Sequence, residues 1–363
     1  MRKIIVTSLV ALVLSTTLLW AGGAPERAGG LTIVASTGHI GDAVARIAPD
    51  ANLQVLMGPG SDPHSYTPTT REAQAIERAD IVFWNGLELE IQMVGVFEGL
   101  GDRAFAVGEA VPERMLLAFE GHDEHGHDDD HDDEHRDDDH DDEHHDDDHD
   151  DEHDDEHDDD EHHEDEHDED HADEHHEDGH GQYDPHLWWD IDIWVSAVQA
   201  IADRITEQDP DNASLYQSNA TDYIAELRDL QSYATARFRE VPASQRVLVT
   251  SHDGFGYLSR AYGFQSRGIT GISTEDEASV RDLQELAQFI VDNDVRAVFF
   301  ETIEDRRSVV ALEEAVAGRG GQIVVSDVPL YSGALGESSP TNTFEGAYRH
   351  NVDAIVDTII GNR

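Results

Sequence analysis

DPDNASLYQSNATDYIAELRDLQSYATARFREVP, residues Asp209–Pro242, is the stretch on which the fold turns. Asp209–Pro210 reads as a helix start, because proline presets φ for the first turn and has no N–H to leave unpaired there. No breaker follows until Pro242, which cannot continue a helix. The span predicts roughly 30 helical residues, a rod of about 45 Å at 1.5 Å per residue. A single compact domain seldom needs such a rod. Clear heptads are missing, so a coiled-coil seam fits less well than a rigid strut joining two lobes.

Short apolar, β-branched runs lie on both sides of the strut. Before it come LTIVAS (Leu31–Ser36), LQVLMG (Leu53–Gly58), IVFWNG (Ile81–Gly86) and RAFAVGE (Arg103–Glu109), with helical patterns such as TTREAQAIERAD between them. After it come RVLVTS (Arg246–Ser251), AVFFE (Ala297–Glu301) and QIVVSD (Gln322–Asp327), separated by segments such as SVRDLQELAQFIVDN. Strands alternating with helices predict βαβ units and parallel sheets. The expected fold is therefore α/β: two lobes, each a mostly parallel sheet flanked by helices, joined by one long rigid helix. The expected division is an N-terminal lobe over 31–208, the linking helix over 209–242 and a C-terminal lobe over 243–363.

The N-terminus has its own signature. Arg2 and Lys3 precede an apolar run from Ile4 to Trp20, and small residues follow it. This predicts a secretory signal peptide over 1–24, and hence an exported, periplasmic protein. The alternative, a single membrane anchor, would need a run at the short limit for spanning a bilayer. Cysteine is absent, which excludes disulfides, thiolate metal sites and a lipid-bearing cysteine. The formal charge is −57. Much of it sits between Gly121 and Gly181, where 37 Asp and Glu face one basic residue, Arg136. Such a surface argues against nucleic acid and anionic membranes and favours cationic partners.

Five histidines lie outside that tract: His39, His64, His186, His252 and His350. Three share a setting. His64 in MGPGSDPHSY follows the second strand, His252 in VLVTSHDGFG ends a strand, and His186 in YDPHLWWD precedes a helix at the matching loop position. Ligands of open parallel sheets bind outside the carboxyl ends of the strands. His64 and His186 both follow Asp–Pro, which holds the chain stiff and presents the imidazole from a fixed turn. Taken singly, each reads as a surface or core histidine of an ordinary turn. Together, three neutral imidazoles without thiols suit a borderline divalent ion, Zn²⁺ above all, with one tetrahedral position left open. His39 and His350 read as structural, the first near the cleft mouth. Trp188, Trp189 and Trp194 read as lobe-packing core.

On these residues the chain resembles the zinc- and manganese-capturing group of substrate-binding proteins of ABC transporters. GSDPHSYTPTT, ADIVFWNGLELE, DPHLWWD, LVTSHDGFGYLSRAYGF, the GIS and VFFE segments and YRHNVDAIV carry the resemblance, which runs from about Leu31 to the end. It implies a metal cleft between the lobes, with His64 and His186 from the first lobe and His252 from the second as metal ligands. It also implies a monomer that delivers its ion to an ABC transporter membrane permease, without catalysis. Many members supply an aspartate as a fourth ligand; here the matching segment is LYSGALG (Leu330–Gly336), with Gly333 at that position. Asp327 lies six residues early. Water, Asp62 or an acidic residue of the tract remain as fourth-ligand alternatives, and Glu301 is either a carboxylate lining the cleft or a structural one. Losing the aspartate and having His252 push toward Zn²⁺ over Mn²⁺.

The tract now has a place in the argument. It holds 18 His from His122 to His180 and almost no apolar residues, so disorder is expected. Members of the zinc-specific type often carry such a loop. His-rich segments bind metal, and many weak tethered sites raise the ion's local concentration beside a tight one. A sensor, a metal buffer and a solvating spacer are the alternatives. Other readings of the whole chain are a manganese carrier, a metal-sequestering protein or adhesin on the same scaffold, and a zinc hydrolase. The last lacks a His-Glu-x-x-His helix or a comparable array.

Overall fold

The computed structural model describes residues 30–118, 182–276 and 278–361. The expected signal peptide (1–24) and the His/Asp/Glu insertion (121–181) lie outside the described residues. Among the described residues no helix is long and apolar enough to cross a membrane.

Two four-stranded sheets form, and every strand pairing in them is parallel. The first contains β1 (Thr32–Ala35), β2 (Asn52–Val55), β3 (Ile81–Trp84) and β4 (Ala104–Ala106), in the order β2-β1-β3-β4. The second contains β5 (Val247–Thr250), β6 (Gln265–Gly268), β7 (Ala297–Val298) and β8 (Val324–Val325), in the order β6-β5-β7-β8. The helices, in chain order, are α1 (Gly38–Ile47), α2 (Thr70–Arg78), α3 (Val94–Glu98), α4 (Ile191–Gln208), α5 (Ala213–Phe238), α6 (Gly256–Tyr262), α7 (Val280–Asp292), α8 (Arg307–Gly318) and α9 (Phe344–Ile359). These are the two parallel α/β lobes expected. The apolar runs all appear as strands. β6 does not announce itself, because Gln-Ser-Arg-Gly is an edge strand without apolar residues.

Side chains alternate across the strands, and the alternation sorts them into separate cores. In the first sheet Ile33, Ala35, Ile81 and Phe83 face a large central core, whereas Val34, Val82 and Trp84 face a smaller outer one. In the second sheet Leu248, Ala297 and Phe299 face that same central core, and Val249 and Val298 face another outer one. Both sheets thus turn one face to a shared interior, filled by Trp188, Trp189, Trp194, Phe255, Phe344 and Tyr348. Large side chains of this kind each contribute roughly 1.5–3 kcal/mol by burial. The lobes are therefore joined by packing as well as by chain.

The strut is α5, 26 residues and roughly 39 Å long at 1.5 Å per residue. It is shorter than its sequence span. Residues Pro210–Asn212 form a separate 3₁₀ turn, held by Asp209 Oδ2, which accepts from Asn212 Nδ2 at 2.8 Å and Tyr216 Oη at 2.7 Å. Its buried stripe is Tyr216, Ala220, Tyr223, Leu227, Leu230, Ala234 and Phe238. The spacing alternates four and three over most of its length, so a heptad-like stripe is present. Alanine and tyrosine at its seam conceal it from a search for aliphatic heptads. The stripe packs on α1, α4 and α9. The C-terminal helix α9 packs on α5 and α1 and also meets the 243–363 lobe, where Asn351 Oδ1 accepts from Tyr331 N at 2.9 Å. Arg237 of α5 bridges Asp353 at 2.9 Å and Asp357 at 2.7 Å on α9.

Candidate metal centre

Three loops at the carboxyl ends of strands supply the site. His64 lies in the loop after β2, where Gly60 takes a left-handed turn with φ of 74°. Asp62 Oδ1 accepts the His64 backbone N–H at 3.1 Å and closes the Asp–Pro–His turn. His252 lies two residues past the end of β5. Its backbone N–H donates to Glu301 Oε1 at 3.0 Å, and its carbonyl accepts from Thr250 Oγ1 at 2.8 Å. His186 precedes a short 3₁₀ turn, Leu187–Trp189, that leads into α4. It is located from the first sheet through a relay of buried polar groups. Glu90 accepts from Ser36 Oγ at 2.6 Å and from the Asn85 and Gly86 N–H groups at 2.8 and 3.2 Å. Asn85 Nδ2 in turn donates to Pro185 O at 3.0 Å.

The three imidazoles are buried and point inward. His186 Nε2 stands 3.2 Å from His64 Nε2 and 3.2 Å from His252 Nε2. One ligand atom from each ring lies within 4.8 Å of the others, and these three make up the candidate metal group among the described residues. A tetrahedron with Zn–N bonds of about 2.05 Å has edges of about 3.3 Å. The two measured edges match that spacing.

Carboxylates orient two of the rings. Asp184 Oδ1 lies 2.8 Å from His186 Nδ1 and also accepts the His186 N–H at 2.8 Å. Glu301 Oε2 stands 2.6 Å from His252 Nδ1. Fixing Nδ1 in this way leaves Nε2 as the donor atom for an ion, as is usual for metal-bound histidine. Burial drives the His186 imidazole well below its ordinary range, and the neighbouring His252 pushes in the same direction. Burial also opposes charge on His252, but the Glu301 carboxylate outweighs it and lifts the ring to about 9. Burial favours the neutral Glu301 acid, yet the His252 pairing holds it below its usual range. For Asp184 burial wins: it pushes the acid up to about 7 against the pull of the His186 N–H, His252 and Arg260.

The site thus brings together the three expected histidines and gives Glu301 a definite contact. Asp184 was missed. Its signal was the Asp–Pro–His repeat, read only as turn chemistry. The other candidates fall elsewhere. Asp62, a fourth-ligand alternative, is outside the ligand group and is engaged by Ser65 and Thr274. Asp327 is exposed. A Cβ on Gly333 would meet Pro63 Cδ at 2.8 Å and Ile303 Cδ1 at 3.0 Å, so the family's aspartate position is filled by neighbours. His39 is not at a cleft mouth. It is buried on α1, stacked on Trp188 at 4.6 Å, and pushed down to about 3 by burial and by His186. His350 lies on α9 with Nε2 2.9 Å from Pro329 O. The three tryptophans are core, and Trp188 Nε1 donates to Ser332 O at 3.2 Å.

The family model described as "ZnuA: Zinc-uptake complex component A periplasmic" matches residues 33–358. The chain belongs to the ZnuA family. Zinc-binding protein TroA of Treponema pallidum (strain Nichols) is 32% identical over 361 residues, covering 98% of each chain. The manganese-binding lipoprotein MntA of Bacillus subtilis (strain 168) is 28% identical over 361 residues, covering 97% of this chain and 98% of MntA. The solved structure of the Treponema pallidum periplasmic zinc-binding protein TroA superposes with a TM-score of 0.73, covering 91% of this chain and 99% of that one. As a ZnuA-family member this chain is a periplasmic metal-binding component of an ABC transporter, and not an enzyme.

Proposed function

We propose that this chain captures Zn²⁺ with His64, His186 and His252 and hands it to the membrane permease of an ABC importer. The observation that carries the reading is the meeting of three buried Nε2 atoms from three loops. Carboxylates on two of the Nδ1 atoms support it, since they keep the tautomer a metal needs. The related proteins pull both ways on metal choice, one named for zinc and one for manganese. The donor set favours zinc: three nitrogens and no carboxylate within the group, where manganese prefers hard oxygen. A fourth position left to water or a carboxylate of the 121–181 tract keeps release feasible. That tract collects ions weakly and raises their concentration beside the tight site.

Competitive titration with Zn²⁺ and Mn²⁺ of the parent and the His64→Ala variant tests the reading. The parent should hold one tight Zn²⁺ and prefer it over Mn²⁺, and the variant should lose most of that affinity. A preference for Mn²⁺ in the parent would assign the chain to manganese transport. Equal zinc affinity in both proteins would remove His64 from the site.

A further inference from the structure

The three ligating loops are not held alike. His186 and His252 are fixed to one another by groups other than the site itself. Buried Tyr257 of α6, in the segment that follows His252, donates from Oη to Asp184 O at 2.9 Å and accepts from Leu117 N at 3.0 Å. Trp189 stacks on Phe255 with ring centroids 5.0 Å apart. Trp188 Nε1 reaches Ser332 O, and Tyr348 Oη donates to Trp189 O at 3.0 Å. Tyr257, Trp188, Trp189, Phe255 and Tyr348 all belong to the central core shared by the two sheets. Parting this pair would mean opening that core.

His64 is held differently, and the two Asp–Pro–His copies show how. In the His186 copy, buried Asp184 turns its Oδ1 to both the backbone and the ring of the histidine. In the His64 copy, Asp62 Oδ1 takes the His64 backbone N–H, and Oδ2 is engaged by two hydroxyls. It accepts from Ser65 Oγ at 2.8 Å and from Thr274 Oγ1 at 2.6 Å. Thr274 lies across the cleft, 212 residues along the chain. Its loop is tied to the His252 segment: Asp253 N donates to Gly271 O at 2.9 Å, and Thr270 N to Ser251 O at 3.0 Å. The next residue repeats the crossing, where Glu275 Oε2 accepts from Gln92 Nε2 at 3.3 Å.

We propose that Thr274 is a positioning residue for the metal site: its hydroxyl, donated to Asp62 across the cleft, holds the His64 loop against a His186–His252 pair that is already fixed. This rests on the three imidazoles being the metal site. Release then proceeds by withdrawal of the His64 loop while the other two rings stay in place. The hydrogen bond to a carboxylate is of the stronger, charge-assisted kind, and Thr274 touches none of the three rings through it.

The test uses the mature full-length chain carrying one equivalent of Zn²⁺, with release followed by stopped flow into excess chromophoric chelator. Thr274→Val, which keeps the shape and loses the hydroxyl, should release zinc about tenfold faster than the parent. Thr274→Ser, which keeps the donor, should stay within about twofold. In a His64→Ala background Thr274→Val should add nothing further, because the loop no longer carries a ligand. Release from Thr274→Val at the parent rate overturns the proposal, as does Thr274→Ser behaving like Thr274→Val, or an undiminished valine effect without His64. If His64→Ala alone holds zinc as tightly as the parent, the metal-site reading itself fails and the latch fails with it.

Discussion

Glu301→Gln gives a sharp test of how the site is built. Glu301 is buried and uses both oxygens on one residue, Oε1 on the His252 backbone N–H at 3.0 Å and Oε2 beside Nδ1 at 2.6 Å. Glutamine keeps the volume but replaces one acceptor by an NH₂ donor. If the amide oxygen stays on the backbone N–H, the NH₂ faces Nδ1 and favours the tautomer with its proton on Nε2, the atom needed for metal. If the amide turns over, two donors meet at the backbone. The first arrangement loses the Oε2–Nδ1 ion pair and the second the charge-assisted bond to the backbone N–H; either loss is about 1.5–3 kcal/mol, which corresponds to roughly 10–100-fold in metal affinity. Loss of a carboxylate behind a metal-bound histidine carries the same range. Competition against a chromophoric chelator measures it, with circular dichroism establishing that the variant is folded. A folded Glu301→Gln protein binding zinc within about twofold of the parent would refute this account of His252.

Asp184→Asn should weaken zinc binding in the same assay by roughly tenfold, since Asp184 serves His186 as Glu301 serves His252. Gly333→Asp should fail to gain an aspartate ligand and should lower stability by roughly 1–3 kcal/mol in urea unfolding, because its Cβ meets Pro63 at 2.8 Å; unchanged stability with tighter Mn²⁺ binding would contradict this. Glu90 is lifted to about 7 by burial, against its hydrogen bonds to Ser36, Asn85 and Gly86. A raised acid binds its proton more tightly folded than unfolded, so its contribution is intact below about pH 4.5 and lost as pH rises through about 7. Relative to Glu90→Gln, the parent should therefore lose on the order of 3 kcal/mol across that window, read from urea midpoints; parallel pH profiles would exclude it. Excising Gly121–Gly181 should remove the weak zinc equivalents and leave one tight one, read by equilibrium dialysis; unchanged stoichiometry would end the collector idea. The antiparallel bridge between Ala118 and Tyr183 brings the chain together on the two sides of the excised stretch, so a short turn can join them.

Much of this was legible in sequence because the central strands β1, β3, β5 and β7 are almost wholly buried and read as unbroken apolar runs. The exceptions are physical. Edge strand β6 presents Gln265, Ser266 and Arg267 because an edge needs no second apolar partner. Residues of α9 spell a helix, but the Arg237 bridges to Asp353 and Asp357 emerge only from packing. The three histidines were visible because strand ends and Asp–Pro turns are local features. The difference between Asp184 and Asp62 was not. The same three letters put one carboxylate in the interior, on a ring, and the other half-buried, on a hydroxyl across the cleft, and only tertiary burial separates them. His39 is structural, as its sequence setting suggested, but it sits inside the core on Trp188 rather than near a cleft mouth.

The central claim is that one ion sits among His64, His186 and His252, and anomalous diffraction at the zinc edge from crystals of the zinc-loaded protein tests it most directly. The account predicts one dominant peak within about 2.1 Å of all three Nε2 atoms. A dominant peak elsewhere, or one bonded to fewer than two of these rings, would contradict it.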